Sequence, residues 1–284
     1  MNIFDIANQN LDNLKTQYKL LKERYGNQNN LDILSKFVKL MKDKWTISIN
    51  MRQWVLNNFL IAGKYKNIYE VRREQGEELR SVRDLEISEE QALERHLGGY
   101  YNSRVTTFDS TFEDGEKFKY GALNVGGLGL KKYGEYCVII KREQSEEYSS
   151  LAFIKEDSLN YIDGHHVNIE QLSQDMANKE CVHPMVTLKH ENDIEGIPAD
   201  EWTSMICCDE SYIEAITKDE IKNNHIESVR MSKEDYLLYY DYLFKDYISE
   251  ISNMEKYQLY MLLGIFKLLD KQGIKLEVIG ENGN

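Results

Sequence analysis

The chain is short of several things that would announce a function. Among its 284 residues only two are proline, Pro184 and Pro198, and four are cysteine. Cys137, Cys181, Cys207 and Cys208 form no C-x-x-C pair, and a chain this long with so few cysteines carries no disulfide framework. The six histidines show neither H-E-x-x-H nor paired spacing, so no metal site is expected. No apolar run approaches the roughly 20 residues that span a bilayer. The N-terminus, MNIFDIANQN, lacks a basic region followed by an apolar core, so no secretory leader is expected. Basic residues are outnumbered, 35 Lys and Arg against 48 Asp and Glu, and a net charge of −13 argues against a nucleic-acid partner. The glycines match no nucleotide-binding fingerprint: Gly126-Gly127-Leu128-Gly129 is out of order for G-x-G-x-x-G, and a strand pattern follows it where a helix is required.

What is present can fold. Hydrophobic residues make up 42% of the chain and aromatic residues 11%, enough for a substantial core. The organising stretch is Phe118–Lys141, with the pair Tyr120-Gly121, four close glycines (Gly126, Gly127, Gly129, Gly134) and then the most strand-like run of the protein, Tyr136–Ile140. Before it the pattern is helical. Leu11, Leu14, Tyr18, Leu21 and Tyr25 recur at helical spacing, as do Leu31, Leu34, Val38 and Met41. An apolar segment over Met51–Ala62, a charged helix over Lys64–Arg83 and a capping box at Ser88–Gln91 complete a helical region 1–97. Strand character is expected at Arg104–Phe108, Ser149–Lys155, Glu180–Leu188 and Thr203–Cys208, with a short helix at Ile169–Ala177. Ser232 caps a tyrosine-rich helix to Ile251, Ser252–Glu255 opens another to about Lys271, and a strand Ile274–Ile279 follows. The expected class is α+β: a helical N-terminal layer, a β-rich centre, and a C-terminal helix pair with a terminal strand. Region 98–284 is read as a mixed α/β core forming one compact unit with 1–97.

The polar residues of the centre suggest chemistry. Arg104 at a strand start can make a bidentate contact to carboxylate or phosphate. Ser149 and Ser150 open the next strand, and Glu180, three residues before His183, is a candidate catalytic acid. A surface ion pair, a capped turn and an exposed turn residue are the respective alternatives. Arg on an early strand, Ser on a middle one and Glu on a late one is the layout of the R-S-E class of ADP-ribosyltransferases, which this centre resembles. Tyr120-Gly121-Ala122-Leu123-Asn124, then Tyr133-Gly134 leading into a strand, is also similar to a family of bacterial proteins with Y-G-A-L-N followed by R-F-G. That family continues with E-x-Q-x-H, for which Glu180-Cys181-Val182-His183 is the nearest match, out of register and with Cys181 in place of Gln. The overall plan resembles the CteC-type bacterial effectors, threonine-specific ADP-ribosyltransferases that modify ubiquitin.

That resemblance implies NAD as substrate, a protein acceptor such as ubiquitin, and a chain made in the bacterial cytoplasm that acts in a host cytosol. On it, Tyr120 walls the nicotinamide, Gly121 lets the backbone approach it, Asn124 holds a ribose hydroxyl or the carboxamide, Arg104 neutralises the pyrophosphate, Ser149 positions the ligand, and Glu180 stabilises the oxocarbenium-like state. The residues also allow a non-enzymatic acidic binding module, since Glu191–Glu220 holds ten acids and one Lys, or a hydrolase using His183 with Glu180. Tyr120, Leu123 and Asn124 can equally be packing and turn residues.

Overall fold

The computed structural model describes residues 1–25, 28–74 and 99–280. It is a mixed α+β architecture around an eight-stranded sheet in the order β10-β9-β3-β1-β2-β8-β4-β7. The strands are β1 Thr46–Met51, β2 Lys119–Asn124, β3 Tyr136–Ile140, β4 Leu151–Ile154, β7 Met176–Asn178, β8 Glu214–Thr217, β9 Ile226–Ser232 and β10 Lys275–Ile279. A two-stranded ribbon, β5 Ile162–Asp163 with β6 His166–Val167, stands apart. Every pairing in the large sheet is antiparallel except β9 with β10.

Helical periodicity decides the first elements. The Leu11–Arg24 helix buries Leu14, Tyr18 and Leu21 at three- and four-residue spacing, and the Gln28–Lys44 helix buries Leu34, Phe37 and Met41. The apolar segment after β1 is the Gln53–Ala62 helix, closed by Gly63 at φ 78°, the left-handed conformation glycine supplies. At the other end, Ser232 accepts from the Asp235 N–H to start the Lys233–Tyr247 helix. Ser252 and Glu255 form a reciprocal capping box at the head of Asn253–Gln272. The tyrosine stripe is divided: Tyr239 is buried with its hydroxyl 2.5 Å from that of Tyr136, while Tyr240 and Tyr247 are exposed.

Several elements differ from the sequence reading. The N-terminal hundred residues are not helical throughout, because β1 comes from them and lies near the middle of the sheet. Arg104–Phe108 is not a strand but part of the Gly99–Thr111 helix, whose buried Phe108 and the following Phe112 stand four apart on one face. Glu180–Leu188 is a short 3₁₀ turn, Lys179–Cys181, followed by the helix Val182–Lys189. Pro184 is third in that helix, where its missing N–H has no intrahelical acceptor to lose. Thr203–Cys208 lies mostly in the Trp202–Ile206 helix. Only the first part of the charged 64–83 segment is described, with helix over 68–74; the capping box at Ser88–Gln91 lies outside the described residues. No helix among the described residues is long and apolar enough to cross a membrane.

Two large buried clusters flank the sheet. One joins Ile47, Ile49, Leu123, Val138, Phe153 and Ala215 to the helices Leu11–Arg24, Gln28–Lys44 and Val182–Lys189. The other joins Ala152, Ile154 and Ile216 to Phe108, Phe112 and Phe118 and to the N-terminal helix Ile3–Gln9.

The ladder between β1 and β2 is incomplete, and this positions everything that follows. β1 pairs with β2 only over Thr46–Ser48, opposite Ala122–Asn124. From Ser48 to Met51 it pairs with β3, while Lys119–Ala122 pairs with β8. The sheet therefore splits between Ile49–Met51 and Lys119–Gly121, with Ser48 and Ala122 at the apex.

Candidate functional site

A cleft of about 960 Å³ opens at this split. Its walls include Ser48–Arg52 from β1, Tyr120–Ala122 from β2, Glu214 from β8, and the residues Asp157–Leu159 that follow β4. Phe59 and Tyr65 close one side, Tyr133 and Tyr212 another, and Trp54, Lys64 and Lys66 also line it. In an antiparallel ladder alternate residues send both backbone polar groups to the same side. The Leu123 N–H donates to Ile213 on the β8 side, so the backbone groups of Tyr120 are directed toward β1, at the place where β1 has turned away. Gly121 is required here by close approach, since a Cβ would lie 2.7 Å from the Ser48 carbonyl oxygen.

The polar lining mixes acids and phenols with the cations Arg52, Lys64 and Lys66, and Asp109 stands behind it, bonded to the lining residue Tyr120. Glu214 pairs with Ala122 on one side and Ile154 on the other, so its side chain rises from the apex of the split. It is 7% exposed. Burial, reinforced by the nearby Asp157, raises its pKa to about 8, although Ser158 hydrogen bonds favour the carboxylate. One of those bonds is the Ser158 N–H donating to Oε2 at 2.9 Å. Asp157 accepts the Tyr212 hydroxyl at 2.7 Å and the Tyr133 hydroxyl at 3.4 Å on Oδ2, and the Leu159 N–H at 2.9 Å on Oδ1. Asp109, on the Gly99–Thr111 helix, accepts the Tyr69 hydroxyl at 2.7 Å and that of Tyr120. Burial raises its pKa to about 6 against the pull of those two phenols. Near neutral pH the site holds a protonated buried acid, Glu214, with further carboxyls around it.

The sequence-derived residues are not gathered in one place. Tyr120 and Gly121 line the cleft. Asn124 does not: it is fully buried, its Oδ1 accepts from the Gly126 and Gly127 N–H groups, and its Nδ2 donates to the Gly127 carbonyl. It fastens the glycine turn after β2. Arg104 lies on a helix and donates to the Leu159 carbonyl behind the cleft wall. Ser149 is exposed and donates to Asp219 at 3.0 Å. Glu180 is exposed on its 3₁₀ turn, its N–H capped by Asn178. Register explains the separation. Ser149 precedes Leu151, which pairs with Thr217, and Glu180 follows Asn178, which pairs with Ala152. Both lie past the end of β4 remote from Ile154, the partner of Glu214, about 14–17 Å along the strand direction at 3.4 Å per residue. His183 packs edge-on against Tyr18, and burial lowers its pKa to about 4.

Glu214 itself, Asp157, Asp109 and Tyr212 were not singled out from sequence. Glu214 carried a signal: in Tyr212–Thr217 it is an acid flanked by Ile213 and Ala215, inside a short mainly apolar run bounded by Ser211 and Lys218-Asp219. Asp157 and Asp109 carried none, since each is an ordinary acid in a loop and a helix. No known family model matches the chain, and no curated protein does.

Proposed function

We propose that the protein is an NAD-dependent ADP-ribosyltransferase acting on a protein acceptor, with Glu214 as the catalytic carboxylate in place of Glu180. The observation that carries this reading is the position of Glu214: buried, at the apex of a split sheet, one strand from the Tyr120-Gly121-Ala122-Leu123-Asn124 motif. The resemblance asks for an acid on a late strand facing a cleft beside that motif, and Glu214 meets it. The cleft volume is within the range of sites that enclose a cofactor-sized ligand.

The roles follow from the walls. Tyr120 and Gly121 keep the parts the resemblance gives them, a wall for the nicotinamide ring and a close backbone approach. The backbone groups that Tyr120 directs at the split suit a carboxamide, which offers one donor and one acceptor face as a missing strand residue would. Arg52, directly after the early strand β1 and on the cleft wall, takes the pyrophosphate role expected of Arg104. When the bond between ribose and nicotinamide breaks, positive charge develops on the ribose, and ionised Glu214 stabilises it in a water-poor site. A free site with Glu214 protonated and a reacting site with it charged are consistent, because an adjacent cation lowers an acid's pKa. Ubiquitin, through a threonine hydroxyl, remains the acceptor that the resemblance implies.

The test is intact-mass analysis of ubiquitin, and of a cell lysate, after incubation with labelled NAD. A gain of one ADP-ribose on a protein, reduced on the order of 10²–10³-fold by Glu214→Gln, supports the reading. Label on another lysate protein keeps the transferase and removes ubiquitin. Absence of label together with absence of NAD binding by calorimetry favours the acidic binding module.

A further inference from the structure

We propose that Asp157 is the general base that takes the proton from the attacking acceptor hydroxyl, a role that rests on the transferase reading above. Glu214 is at the bottom of the cleft, 7% exposed, and Tyr133 is at its mouth, 38% exposed. Asp157 is between them in burial and touches the chain on both sides: its neighbour Ser158 donates to Glu214, and its own carboxylate accepts from Tyr212 and Tyr133. An acceptor entering from solvent meets Asp157 before Glu214.

The carboxylate has room for it. Oδ1 is committed to the Leu159 N–H and Oδ2 to Tyr212, both short bonds, but the Tyr133 hydroxyl stands off at 3.4 Å. That is a bond an incoming hydroxyl can replace. Tyr133 follows Gly129 on the glycine-rich segment and also faces the Tyr212 hydroxyl at 3.1 Å, so it keeps a partner when displaced.

The step balances without a redox partner. The ribose C1–nitrogen bond breaks and its electron pair leaves with nicotinamide. The acceptor oxygen forms a bond to C1, and its proton passes to the Asp157 carboxylate and then to solvent. Two carboxyls thus divide the work: Glu214 stabilises the cation, and Asp157 removes the proton.

The test uses NAD hydrolysis, in which water is the acceptor, so that no acceptor protein need be known. Asp157→Asn preserves the Leu159 cap through its amide oxygen and removes the basicity, with the Tyr212 hydroxyl turning to accept from the amide nitrogen. The expected result is a KM for NAD within about twofold of the unaltered protein and a kcat lower by on the order of 10²-fold. Asp157→Glu recovers part of the rate. Asp157→Asn turning over within threefold, while Glu214→Gln is inactive, overturns the proposal and leaves the transferase standing. If Glu214→Gln is also as active as the unaltered protein, the transferase reading itself fails. Should Asp157→Asn not fold, as judged by circular dichroism, Asp157→Ser decides: restoration of kcat by added formate, an exogenous base, supports the role, and no restoration overturns it.

Discussion

The backbone N–H of Ser158 donates to the carboxyl of Glu214 across 2.9 Å, from a turn after β4 to the first residue of β8. This bond ties the Asp157-Ser158 corner to the apex of the sheet split. It also makes Glu214 a buried acid that is hydrogen-bonded yet pushed upward in pKa by burial and by the adjacent Asp157.

The pH dependence of stability follows from that environment. An acid held at about 8 when folded and near 4.5 when unfolded keeps its proton in the native state while the unfolded chain loses it. The native state then binds more protons, so stability falls as pH rises from about 4.5 to about 8, by up to roughly 1.4 kcal/mol per pH unit from this one group. Asp109, raised to about 6, adds to the same trend at lower pH. Urea unfolding at pH 5 and pH 8 measures the slope, and Glu214→Gln should flatten it. A slope unchanged by that substitution contradicts the assigned environment.

Activity should run the other way. The carboxylate form of Glu214 is the one that stabilises a cation, so kcat/KM for NAD hydrolysis is expected to rise with pH up to about 8, the value that burial sets in the free protein. A profile that falls across this range would mean that the protonated form is the working one.

Glu180→Ala is expected to leave NAD turnover within threefold of the unaltered protein, because Glu180 is exposed and remote along β4 from the cleft acid. A loss near a hundredfold would return the catalytic role to Glu180.

Asp109 serves two phenols at once, Tyr69 and Tyr120. Asp109→Ala leaves both hydroxyls without that acceptor and is expected to cost about 2–4 kcal/mol in chemical denaturation. Tyr120→Phe removes only one bond and should cost less. Equal costs would show that Tyr69 finds another partner.

Asn124→Ala removes the acceptor for two backbone N–H groups and a donor to a backbone carbonyl. The expected loss is about 2–3 kcal/mol of stability with KM for NAD little changed. A selective rise in KM without destabilisation would instead make Asn124 a ligand residue.

Gly129→Ala tests the glycine segment. Gly129 is at φ +64°, and a Cβ there would lie 2.1 Å from Asn50 Oδ1, the atom that accepts the Leu130 N–H. The substitution should lower the melting temperature by several degrees, through strain and a displaced Asn50. An unshifted melting curve would mean that the segment can rearrange.

Periodicity and punctuation in the sequence alone determined the helices that bury one stripe, the Ser232 and Ser252 caps and the limits of β3. These are local properties, fixed by side chains a few residues apart and by the conformations that glycine and capping residues allow. The same reasoning misplaced Arg104–Phe108, Glu180–Leu188 and Thr203–Cys208, short apolar runs whose length suits strand or helix equally. It also passed over β1, β2, β8 and β9, whose partners are far off in the chain. Only the tertiary structure decided which acid faces the cleft. Glu180 and Glu214 look alike as acids near apolar runs, and what separates them is strand register: a pairing of Glu214 with Ala122 across more than ninety residues, at the point where β1 leaves β2. Burial there, which raises the acid's pKa, is a property of neighbours that no local window contains.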